Sequence, residues 1–61
     1  MAQITAKELG SLSDLLSVEE NLAAKYKNYA SVASDEELQA KYKEISETHM
    51  KHYDALLAHL K

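Results

Sequence analysis

Ala33-Ser34-Asp35-Glu36-Glu37-Leu38 decides the fold. Ser34 followed three residues later by Glu37 has the form of a capping box, and Asp35, Glu36 and Glu37 place three carboxylates where the positive end of a helix dipole would lie. A helix is therefore predicted over 35–59, with Ser34 as its N-cap. On the other side of this stretch, Leu9, Leu12, Leu16, Glu19, Ala23, Tyr26, Ala30 and Ala33 advance by alternating steps of three and four, the pattern of one helical face. Thr5-Ala6-Lys7-Glu8 forms a second capping box at its start, so the first helix is predicted over 6–33. Gly10 costs some helix stability without stopping it. A connection of one or two residues forces the helices antiparallel, giving an all-α hairpin in a single domain, 1–61.

Composition agrees with helix and narrows the functions open to the chain. The 61 residues contain no Pro, Cys, Trp or Phe and one Gly. A chain this short has no disulfide framework to compensate for a small core, so it needs another source of burial. The formal charge of −3 is spread along the chain, with Lys25, Lys27, Lys41, Lys43 and Lys51 set among carboxylates. No basic stripe could track phosphates, which argues against nucleic-acid binding. No apolar run reaches the roughly 18 residues of a membrane span, and Met1-Ala2-Gln3-Ile4-Thr5 lacks the features of a signal peptide. A soluble protein made in the cytoplasm is the expectation.

Burial is expected to come from self-association. Leu15, Leu22 and Tyr29 flank the first seam, and Tyr53, Leu57 and Leu60 flank the second, so each apolar stripe is wider than one partner helix covers. A homodimer arranged as an antiparallel four-helix bundle follows.

The seams carry three residues where leucines belong. Glu19 interrupts the first, and His49 and His52 enter the second, read as Leu38, Tyr42, Ile45, His49, His52, Leu56, His59. Glu19 lies fifteen residues before Ser34 and His49 fifteen after it, which at 1.5 Å per residue puts both about 22 Å from the turn. Two imidazoles one turn apart and a carboxylate at the same level form a set suited to a divalent transition metal, Zn or Fe above all. The competing reading is a polar contact that fixes register, with the carboxylate bonded to imidazole and no metal present. Glu20, beside Glu19 but off the seam, reads as solvated or as a support to the ligands. Tyr26 and Tyr42 each lie eight residues from Ser34 and should stack as core, with the alternative that one hydroxyl supports a ligand carboxylate. His59 reads as a surface residue near the helix C-terminus. Ser46, three residues before His49, is expected to bond its own helix backbone. No phosphate loop and no Cys nucleophile is present, and catalysis is not expected.

The stretch from Leu15 to Leu60 resembles one half of a ferritin-like, rubrerythrin-type bundle: a helix with Glu19 followed seven residues later by Tyr26, a short turn, then Tyr42 seven residues before His49-x-x-His52. His49 stands where that pattern has a glutamate, so the resemblance implies ligands without the bridging carboxylate pair of a di-iron oxidase. Lys7-Glu8-Leu9, Asp14-Leu15-Leu16-Ser17-Val18-Glu19-Glu20, Lys25-Tyr26-Lys27-Asn28-Tyr29-Ala30 and His49-x-x-His52-Tyr53-x-x-Leu56-Leu57 are similar to the small coat-F-like proteins of endospore-forming bacteria. That likeness implies a structural, spore-coat-associated protein with other coat proteins as partners. The rival it leaves is a small metal-binding or redox protein of rubrerythrin-like type.

Overall fold

A computed structural model describes residues 4–60, so the reading of Met1-Ala2-Gln3 as lacking a signal peptide lies outside the described residues. Two α-helices, α1 (Ala6–Val32) and α2 (Glu36–Leu57), fold back on each other and pack along their length, and α2 ends in a short 3₁₀ turn at Ala58–Leu60. The hairpin is a thin slab of 46 × 16 × 10 Å. Among the described residues there is no strand, and no helix is long and apolar enough to cross a membrane.

The first helix starts as its capping box dictates. The Glu8 amide donates to the Thr5 hydroxyl at 3.0 Å while the Thr5 amide donates to the Glu8 carboxylate at 2.9 Å. These contacts hold the Glu8 carboxyl below its ordinary value, the Thr5 backbone amide first and the Thr5 hydroxyl second. Gly10 passes through helix, and a Cβ there would meet nothing within 4 Å.

The turn differs from the expectation by one residue. Asp35, not Ser34, is the N-cap of α2: its carboxylate accepts from the Leu38 amide at 3.2 Å. Both residues are good caps, and the shift leaves Ala33, Ser34 and Asp35 to turn the chain. It also leaves Gln39 reaching back to donate its amide to the Ala33 carbonyl at 2.5 Å, which occupies an acceptor freed at the end of α1.

The seam of α1 runs as its periodicity indicates. Leu12, Leu16, Glu19, Ala23, Tyr26, Ala30 and Ala33 all lie inward and at least partly covered, while Leu9 is exposed at the open end. The seam of α2 is rotated. Gln39, Tyr42, Ser46, His49, Tyr53 and Leu56 face α1, whereas Leu38, Ile45 and His52, expected inside, form an exposed row with His59, expected at the surface. Ser46 is the cause. Its hydroxyl donates across the hairpin to the Ala23 carbonyl at 2.7 Å, rather than to its own helix. Ala23 and Ser46 are the two buried residues among those described, at 5% and 8% exposure. A small residue on each helix lets the backbones approach there, and the cross-helix bond removes the cost of burying a hydroxyl.

Candidate metal centre

Glu19 stands at the midpoint of α1, and α2 brings His49 to the same level. The His49 Nδ1 and the Glu19 Oε1 are 2.6 Å apart, and the second carboxylate oxygen faces the His52 Nδ1 at 3.5 Å. One oxygen thus serves each imidazole. The Glu19 side chain is 17% exposed and His49 comparably covered, but His52 is 55% exposed and turns to solvent on one side of the hairpin. Position on the helix explains the difference, since His49 lies in the rotated seam and His52 a turn further on, at its flank.

Aromatic rings close the site towards the turn. Tyr26 stacks nearly parallel on His49, with centroids 6.0 Å apart and planes 17° from parallel. Tyr42 packs against Tyr26 at 6.0 Å, and Tyr29 completes the group at 5.7 Å from Tyr26 and 5.5 Å from Tyr42. The expected pairing of Tyr26 with Tyr42 is therefore present. Its use to hold the His49 ring was not read from the sequence, where both tyrosines carry only the signal of a shared level. Glu20 is exposed, and His59 is exposed in the terminal 3₁₀ turn, both away from the trio.

One donor atom from each of Glu19, His49 and His52 lies within 4.8 Å of the others. Carboxylate oxygen and imidazole nitrogen suit a borderline divalent ion such as Zn²⁺ or Fe²⁺ better than Ca²⁺ or Mg²⁺. The 2.6 Å between His49 and Glu19 is a hydrogen-bond distance. Ligands held at about 2.0–2.1 Å around a tetrahedral ion sit roughly 3.3 Å from each other. Metal would thus take the place of this hydrogen bond, with a small outward movement of one side chain. No protein family, curated protein or solved structure matches the chain.

Proposed function

We propose that this protein is a small transition-metal-binding helical hairpin of ferritin-like type, which pairs with a second copy into a four-helix bundle. The observation that carries the reading is the convergence of Glu19, His49 and His52 from two helices, with donor atoms within 4.8 Å and one carboxylate oxygen facing each imidazole. Three protein donors leave at least one coordination position for a further ligand. The test is titration of untagged protein with Zn²⁺ or Fe²⁺, followed by elemental analysis. One ion per chain is expected, with uptake lost in Glu19→Ala and His49→Ala. Absence of stoichiometric metal in the wild type would refute it.

A second reading has its own support. The Glu19–His49 hydrogen bond satisfies both groups without any ion, and such a contact could fix the register of the helices in a structural, spore-coat-associated protein. Under that reading other coat proteins are the partners. Wild-type protein free of metal but destabilised by His49→Ala would favour it.

A further inference from the structure

Part of the exposed and half-buried apolar surface runs in two rows. Leu15, Leu22 and Tyr29 follow one another at intervals of seven along α1, as do Leu38, Ile45, His52 and His59 along α2. The two rows share a side. Tyr29, Val32, Leu38 and Tyr42, with Asp35, line one groove near the turn, and Leu12, Leu15 and His59, with Lys7 and Glu8, line another at the open end. From Leu15 to Tyr29 and from Leu38 to His59 the rows contain no Lys, Arg, Asp or Glu, and one step earlier in α1 the first row begins with Glu8. The opposite side is lined by Lys27, Ser31, Lys43 and Glu47 around Ser46. One broad side is thus apolar along its middle, with Lys7, Glu8 and Asp35 at its ends, and the other is polar.

Area identifies the occupant. A side of 46 × 16 Å offers about 700 Å², close to the roughly 800 Å² that each partner of a stable pair buries. The chain exposes 4863 Å², whereas a compact monomer of 6.8 kDa would expose about 4000 Å². The excess is of the size of one such interface. Position adds a second argument. Glu19 is central in α1 and His49 central in α2 with its terminal turn, so a two-fold axis through the middle of this side keeps both copies of the trio at one level. It also sets the turn-end groove of one chain over the open-end groove of the other. Side chains on a helix lean towards its N-terminus, so His52, slightly towards the open end, leans back to the axis.

We infer that a second copy of this chain docks on the side formed by Leu15, Leu22, Tyr29, Leu38, Ile45 and His52, and that it covers each chain's half-exposed His52, closing the metal centre from solvent. Metal uptake and pairing then reinforce each other, because pairing holds His52 beside Glu19 and keeps water from the three donors. The inference rests on the metal reading above for its second half. The choice of face stands without it.

Sedimentation of the full chain with Zn²⁺ and with chelator tests both halves, using Ile45→Glu on the apolar side, Lys43→Glu on the polar side and His52→Gln. The wild type is expected as a dimer whose dissociation constant falls at least tenfold with Zn²⁺. Ile45→Glu should be monomeric, keep its helical circular dichroism and bind Zn²⁺ at least tenfold more weakly, while Lys43→Glu behaves as wild type. His52→Gln should pair without metal but lose the gain from Zn²⁺. If Ile45→Glu loses its helix, the milder Leu38→Gln reads the same face. Disruption by Lys43→Glu and not by Ile45→Glu would overturn the choice of face. Pairing indifferent to Zn²⁺ that nonetheless binds one ion per chain would overturn the linkage and leave the metal reading standing. Failure of the wild type to bind Zn²⁺ would remove the metal reading, and the two charge variants would still judge the face.

Discussion

Ser46 donates its hydroxyl across the hairpin to the Ala23 carbonyl, where both residues are buried. Ser46→Ala removes one neutral hydrogen bond with little change of shape and should cost about 1 kcal/mol. Ser46→Leu adds volume opposite Ala23 and should cost about 1–3 kcal/mol, because the helices must part to admit it. Urea unfolding at fixed protein concentration measures both, and a neutral Ser46→Leu would show that the helices do not close there. Glu8 gives a second prediction at this scale. Its carboxyl is held below the ordinary 4.5 by the Thr5 amide and hydroxyl. The charge therefore contributes stability that is fully present above pH 4.5 and lost as pH falls through the lowered folded value. Glu8→Gln should flatten that part of the acid limb in a thermal series, and an unaltered limb would show that the box does not titrate with folding.

At the scale of the elements, the caps decide where the chain turns. Asp35→Ala should cost about 1 kcal/mol, since the Leu38 amide loses its acceptor, whereas Ser34→Ala should be nearly neutral. The reverse ranking, by thermal or chemical unfolding, would return the cap to Ser34. The existence, order and antiparallel sense of α1 and α2 were legible in the sequence because two capping signals bracket long periodic runs without a Pro. The site was also legible, since Glu19 and His49 are equidistant from the turn. What was not legible is the rotation of α2. Hydrophobicity ranks Ile45 above Ser46 and gives His52 the same claim to the seam as His49. The choice is made across the hairpin, by close packing at Ala23 and a carbonyl that accepts the Ser46 hydroxyl. A small polar residue facing an alanine at a distance from the turn that differs by one residue is the signal that could have revealed it. The same rotation carries Leu38, Ile45 and His52 outward, so the element that hides His49 displays His52.

For the whole molecule, the question is what makes so thin a slab stable. Ala23 and Ser46 are buried, while Leu15, Val18, Tyr29, Leu38 and Ile45 remain exposed and Val32 is 75% accessible. Apolar burial is the main favourable term in folding, and one layer of contacts between two helices supplies too little to offset the conformational entropy of ordering the chain. If pairing through the apolar side supplies the remainder, folding and association are one event and the transition depends on concentration. The size of the dependence follows from the enthalpy. Two chains of 61 residues at about 0.7 kcal/mol per residue unfold with roughly 85 kcal/mol, so a hundredfold dilution should lower the midpoint by about 10 °C near 60 °C. Circular dichroism melts at two concentrations suffice. The Glu19–His49 contact gives the measurement a second arm: added Zn²⁺ should raise the midpoint and lessen its loss on dilution, because the ion stabilises only the form in which the three donors are together. A midpoint unmoved by dilution, with or without Zn²⁺, would mean that the hairpin is stable alone and that its apolar side serves something other than a second copy.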